Sequence, residues 1–335
     1  MKAAYIEATG NPSAIHYGDL PQPTPQSGEV LVRVGAVAVN PIDLYIRAGT
    51  VPMTLPKPFI VGCDLAGTVE KVPEAPGSLR SRFAVGDRVW GSNQGLLGRQ
   101  GTFAEYAAVA EEWLYPTPEG VDDKTAAAVA LVGITAHLGL FRDARLQTGE
   151  IVYVNGGTGG VGSMVVQMAK AVGARVITTV GSADKAKLCQ QWGADCVLHY
   201  KTDDIPARVR EFTRGQGVNV WYETQREPDF LRTVDLMAQR GRIVVMAGRQ
   251  AQPLFPVGPF YVKGLSLHGF AMFNATATEQ RRCAEDIQRW LKLGQLKPLI
   301  GRVFPLSQAA AAHQLLEENT LGKAGTLHGK IVLTQ

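Results

Sequence analysis

Apolar and polar residues alternate with a period of two at the start of the chain and with a period nearer 3.6 in its middle, and this change divides it. Glu29–Val39 (EVLVRVGAVAV) alternates as a half-buried strand does. Residues 58–72 hold a second extended run, 83–90 (FAVGDRVW) a third with Gly86-Asp87 as its turn signal, and 103–109 a fourth. Residues 125–140 are rich in alanine and leucine and predict a helix, with Gly133 as a point of interruption. Strands then alternate with helices: strands at 151–155, 175–180, 196–200, 218–223 and 242–247, helices at 161–172, 183–192, 204–213 and 228–238, and a last strand signal at 265–270. Such alternation implies a parallel sheet covered on both faces. Two helices, 278–293 and 307–318, and a closing strand, 330–334, end the chain. A β-rich start and an isolated closing strand suggest that residues 1–123 and 275–335 build one domain, into which a second, 124–274, is inserted.

The most specific stretch is Ile151–Gly162, IVYVNGGTGGVG. Four strand formers stop at Asn155 and five glycines, and from Val161 the apolar residues Met164, Val165 and Met168 fall on one helical stripe. Gly157, Gly159 and Gly162 match G-x-G-x-x-G between a strand and a helix, with Thr158, Gly160 and Val161 completing the turn. The turn needs a residue that tolerates positive φ, a backbone that approaches a diphosphate closely, and helix-on-strand packing without a Cβ. The unpaired N–H groups of the helix then face the anion. The second strand ends at Gly181-Ser182, where NAD-binding folds place a carboxylate for the ribose 2′-hydroxyl. A carboxylate there would repel a 2′-phosphate, so its absence removes the obstacle to NADPH. Ser182 offers a hydroxyl, Lys185 a charge one turn further, and Tyr200 a phenol from the third strand. The competing reading makes Ser182 a helix cap and Lys185 a solvated lysine.

Composition narrows the class. The chain has 335 residues, 45% hydrophobic and 19% charged, with a net charge of +4; a soluble protein with ample core is expected. Lys and Arg are scattered, which argues against nucleic acid as the main partner. No signal-peptide core is seen and no stretch approaches the ~20 apolar residues of a membrane span, so a cytoplasmic protein without membrane partners is expected. The four cysteines lack metal or disulfide spacing and read as reduced, mostly buried thiols.

Taken together, VNPIDLYIRAG, GCDLAGTVEKV, FAVGDRVWG, GTFAEYAAV, GITAHLGL and NGGTGGVGSMVVQMAKAVGARV resemble the medium-chain dehydrogenase/reductase superfamily. Within it the chain is most similar to the zinc-independent quinone oxidoreductases of the zeta-crystallin type. The resemblance implies an α/β protein with a GroES-like, β-rich catalytic domain and a Rossmann domain with a doubly wound parallel sheet, an active site in the cleft between them, NADPH as cofactor, and a homodimer. Zinc alcohol dehydrogenases of the superfamily carry Cys where this chain has Asn40, and His-Glu where it has Cys63-Asp64; residues 90–101 supply no cysteine for a structural zinc. No metal is therefore expected. Without a Lewis acid, electron-poor quinones and enones are the natural acceptors.

By the same similarity Asn40 and Tyr45 face the nicotinamide and substrate, Asp43 and Arg47 are structural, and Thr135 supports the nicotinamide ribose or carboxamide. Local satisfaction of the Tyr45 hydroxyl and a helix-bonded Thr135 are the competing readings. Gly248, Phe270 and Met272 resemble cofactor-lining positions. Trp221–Glu227 departs from the Asp-x-Val-Gly stretch of many relatives, so the cofactor's edge or the cleft floor is expected to differ. The leading expectation is hydride transfer from NADPH to a quinone. The alternatives are an enone or 2-alkenal double-bond reductase and a crystallin-like NADPH-binding structural protein.

Overall fold

The computed structural model describes residues 1–73 and 81–335, and the chain divides into two units. One comprises Met1–Leu131, Thr276–Lys292 and Pro298–Gln335; the other comprises Val132–Ala275 and Leu293–Lys297. In chain order the elements are β1 (Lys2–Ile6), β2 (His16–Asp19), β3 (Glu29–Val39), α1 (Pro41–Arg47), β4 (Phe59–Ile60), β5 (Leu65–Lys71), β6 (Arg88–Gly91), β7 (Tyr106–Ala110), β8 (Leu114–Pro116) and α2 (Asp123–His137). Then come β9 (Ile151–Asn155), α3 (Gly160–Ala171), β10 (Arg175–Val180), α4 (Ala183–Gln191), β11 (Cys196–His199), α5 (Ile205–Thr213), β12 (Val218–Glu223), α6 (Phe230–Leu236), β13 (Met237–Val245), α7 (Val257–Val262) and β14 (Ser266–Gly269). The chain closes with α8 (Ala277–Lys292), β15 (Ile300–Pro305), α9 (Ala309–Thr320) and β16 (Lys330–Thr334).

In the first unit β3 is the spine. Its apolar positions are buried, and it pairs antiparallel with β5, β7 and β16, so the last strand of the chain lies against the third. The larger sheet runs β15-β16-β3-β5-β6-β8, and β2-β1-β4 forms a smaller one. In the second unit six parallel strands run β11-β10-β9-β12-β13-β14. The order reverses between β9 and β12, the crevice where doubly wound sheets take their ligands. Tyr153 of β9 stacks on Trp221 of β12, with ring centroids 3.8 Å apart, inside a core that includes Ile177, Val234 and Ile243.

Several expectations change. The Ala-rich helix passes through Gly133 unbroken and continues as a π-helical turn, Leu138–Asp143. Its 21 residues, Asp123–Asp143, are long and apolar enough to cross a membrane, contrary to the reading that no stretch is. The fold, however, buries 78% of its most apolar window, as it does for a core helix. The helix expected at 228–238 shortens to α6, capped by Asp229, because Met237 already turns into β13. The segment after Asn40, to which the sequence pattern assigns no element, is helix α1: Pro41 opens it and the Asp43 carboxylate accepts the Asn40 backbone N–H at 2.8 Å.

Candidate active site

The glycine turn joins β9 to α3 through backbone that side chains would block. A Cβ on Gly157 would stand 2.1 Å from Thr178 Oγ1, and one on Gly162 2.1 Å from the Gly156 carbonyl oxygen. At Gly159, the N-cap of α3, the nearest atom to a Cβ is 3.7 Å away. The protein itself therefore does not require glycine there, whereas an anion resting on the helix N-terminus does. The positive φ expected of the turn lies at Gly156 (91°), one residue ahead of the motif. Thr158 is buried, and Gly160 and Val161 are half-buried in the first turn of α3.

At the end of β10, Gly181 is covered by the Tyr200 ring, which leaves 2.6 Å between a would-be Cβ and the phenol oxygen. Ser182 caps α4: its Oγ accepts the Lys185 N–H at 3.4 Å. Asp184 pairs with Lys187 at 3.2 Å and leaves Lys185 alone. Burial, and then the neighbouring Lys201, pull the Lys185 ammonium below its ordinary pKa, and among the described residues neither lysine has an ion-pair partner. A neutral bend flanked by two unneutralised ammonium groups favours a bound dianion. Lys201, just past the strand, was missed in the sequence because no spacing rule singles it out.

The departing segment 221–227 ends β12 and continues past it beside the glycine turn. Glu223 is buried, and burial pushes its carboxyl up against the pull of Asn155, Gln225 and Trp221. Gln225 lies over Gly156, where a Cβ would meet its Nε2 at 2.2 Å. Gly248 takes φ 87° with the Arg226 carbonyl oxygen 2.6 Å from a would-be Cβ. Phe270 lies under the Arg142 guanidinium, 5.3 Å from it, and Met272 is buried. Thr135 is buried on α2, and its carbonyl accepts the Tyr222 hydroxyl at 2.8 Å. Half-buried Phe260 packs on Phe255 against the core of this unit.

In the first unit Asn40 is wholly buried and its carboxamide is engaged: Nδ2 donates to Asp64 Oδ2 at 2.8 Å and to the Ala38 carbonyl at 3.3 Å, and Oδ1 accepts from Lys330 Nζ. Lys330 also donates to the Val39 carbonyl at 2.8 Å. Burial pushes Asp43 up to about 7, opposed by a hydrogen bond from Cys63; burial likewise raises Asp64, lowers Lys330 and drives the Cys63 thiol far up. Tyr45 is half-buried on α1, and its carbonyl accepts the Thr50 N–H at 3.0 Å. Lys330 was not legible in the sequence, where residues 330–334 read only as a closing strand.

This cluster does not suit a zinc ion. The thiol is held neutral, Asp64 Oδ2 accepts from Asn40, and an ammonium supplies the positive charge. Among the described residues no three His, Cys, Asp or Glu side chains gather as a metal site.

A β-rich unit built from both chain ends and a six-stranded parallel unit with a glycine turn define a medium-chain dehydrogenase/reductase. The comparisons agree. Residues 26–119 match the alcohol dehydrogenase GroES-like domain and 160–289 the zinc-binding dehydrogenase family. A quinone oxidoreductase of Sus scrofa is 33% identical over 94% of this chain and 93% of its own. A 2-haloacrylate reductase of a Burkholderia species is 30% identical over 94% and 95%. The Escherichia coli quinone oxidoreductase, solved in complex with NADPH, superposes with a TM-score of 0.85 at 26% identity, covering all of both chains. The chain belongs to the zinc-independent quinone oxidoreductase family; the zinc in the matched family's description has no counterpart in the Asn40–Lys330 cluster.

Proposed function

We propose that the chain is an NADPH-dependent reductase that delivers hydride to a quinone. The observation that carries the reading is the uncompensated Lys185–Lys201 pair beside the neutral Gly181-Ser182 bend, next to an open helix N-terminus at Gly159. The glycine turn holds the diphosphate, and Ser182, Lys185, Lys201 and Tyr200 hold the 2′-phosphate. When bound, NADPH supplies a hydride from its dihydronicotinamide. By the family resemblance Tyr45 would be the donor to the acceptor's carbonyl oxygen as charge develops there, and Asn40, held by Asp64 and Lys330, fixes the start of the helix that carries Tyr45. Thr135, Gly248, Phe270 and Met272 form the nicotinamide side. Most of the rate comes from holding donor and acceptor in contact. The names of the Sus scrofa and Escherichia coli relatives support the quinone; that of the Burkholderia relative supports the alternative of double-bond reduction in an activated alkene.

We further propose a cytoplasmic homodimer joined at β14, the outer strand of the parallel sheet. Steady-state rates with NADPH and NADH, on a bicyclic quinone and on a simple enal, test the reading. Lys185→Glu is expected to raise KM for NADPH by about tenfold and leave KM for NADH nearly unchanged; equal effects refute the phosphate site. Faster turnover of the enal than of the quinone favours the alternative.

A further inference from the structure

Three adjacent strand ends in the second unit are tied by one chain of hydrogen bonds. Glu223, the last residue of β12, lies beside Asn155, the last residue of β9, and Thr179 stands near the end of β10. The Asn155 amide nitrogen donates to both Glu223 oxygens, at 2.9 and 3.0 Å. The Thr179 hydroxyl donates to Asn155 Oδ1 at 3.0 Å, and the Gly156 N–H donates to that hydroxyl at 2.9 Å. Glu223 also collects the Gln225 N–H at 2.7 Å and the Trp221 indole N–H at 3.1 Å.

The polarity of this chain is dictated at one end. An ionised carboxylate only accepts, so Asn155 must turn its NH₂ toward Glu223 and its oxygen toward Thr179. The Thr179 proton then goes to Asn155, which leaves its lone pair for the Gly156 N–H. Gly156 is the residue with φ 91° that opens the anion-binding turn. Its peptide is gripped a second time where the Thr224 hydroxyl donates to the Asn155 carbonyl.

We propose that Glu223 is a positioning residue for cofactor affinity: through Asn155 and Thr179 it holds the Gly156 peptide in the orientation that presents the glycine turn to a diphosphate. The inference rests on the NADPH reading above. It has a sign that a bare charge does not share. A carboxylate near a diphosphate repels it, so through space alone Glu223→Gln would tighten binding; through the relay the same change loosens it, because the amide introduces a donor where only acceptors fit.

The test is calorimetric titration of the full chain with NADPH and with 2′-AMP, which carries the ribose phosphate and no diphosphate. Glu223→Gln is expected to weaken NADPH about tenfold and leave 2′-AMP within about twofold of the wild type. The KM for NADPH rises, while kcat with saturating quinone stays. Thr179→Val, which breaks the relay two residues before the neutral bend and leaves the carboxylate in place, gives the same pattern and serves if Glu223→Gln does not fold. The double variant is no weaker than either single one. Unchanged or tighter NADPH binding in both variants, or additive losses, overturns the role of Glu223. If the wild type binds neither ligand, the NADPH reading fails and this inference with it; if it binds both and Glu223→Gln matches it, only this inference fails.

Discussion

Lys330 is 6% exposed because its ammonium has two acceptors, the Val39 carbonyl and Asn40 Oδ1, with the Asp64 and Asp43 carboxyls acting on it through space. A buried cation is tolerable only when its donors are used and opposite charge stands near. Lys330→Met keeps the length of the side chain and removes the charge. It leaves two acceptors without a donor and two buried carboxyls without a cation. Stability is expected to fall by about 3 kcal/mol, read from the urea midpoint with an unchanged m-value. A midpoint equal to that of the wild type would show that the cluster is not held together by the lysine. The sequence hides this residue for a physical reason: period-two alternation says which face a side chain takes, and only the fold says whether Asn40 and Asp64, 290 and 266 positions away, are waiting there.

Helix α9 illustrates what a whole element hides. Its existence after the helix 278–293 was legible, and so were its bounds to within two residues at either end, since Ala-rich periodicity reports a helix wherever it packs. That it buries His313 completely was not. Both ring nitrogens lack hydrogen-bond partners among the described residues, the Phe103 ring meets the imidazole edge-on at 5.8 Å, and burial, then Arg47, pull its pKa down to about 3. The unfolded chain takes up this proton near its ordinary value of 6.5, whereas the folded one does not until about 3. The contribution of His313 to stability is therefore complete above 6.5 and is lost as pH falls toward 3. Between pH 6.5 and about 5 this residue alone is expected to cost about 2 kcal/mol. His313→Phe should remove that slope from the denaturation midpoint measured across the range, and a slope as steep as that of the wild type would locate the proton elsewhere. The central strands β9, β10 and β12 matched their expected bounds because buried parallel strands read as apolar runs. The short β1, β2 and β15, more exposed or less regular, carry no such signal; their pairing depends on partners far along the chain. Among the site residues, the glycine turn was legible from spacing; Glu223 was visible only as part of a segment departing from the family pattern and Thr179 not at all, because their importance lies in which way a hydrogen bond points.

At the scale of the whole molecule the telling feature is the edge of the parallel sheet. Among the described residues β14 pairs with β13 on one side only, and its residues are exposed or half-exposed. Leu267 on the strand is 41% exposed, and Tyr261 and Val262 at the end of α7 are 70% and 68% exposed. A bare edge with apolar neighbours is a site for pairing with another strand, and a second copy supplies an identical one. In the proposed dimer two-fold symmetry would set β14 against β14, so that each substitution is counted twice and like charges face each other. Taking about 2 kcal/mol for each buried leucine, Leu267→Asp is expected to raise the dimer dissociation constant by about a thousandfold. Sedimentation over a range of loading concentrations reads this directly: the wild type should keep the mass of two chains where the variant falls to one. The urea midpoint of the variant at dilution should match that of the dissociated wild type, since Leu267 already faces outward in the single chain. A variant that stays dimeric places the contact elsewhere, and a wild type with the mass of one chain at every concentration removes the homodimer from the proposal while leaving the NADPH site, which draws on one copy of the parallel-sheet unit, untouched.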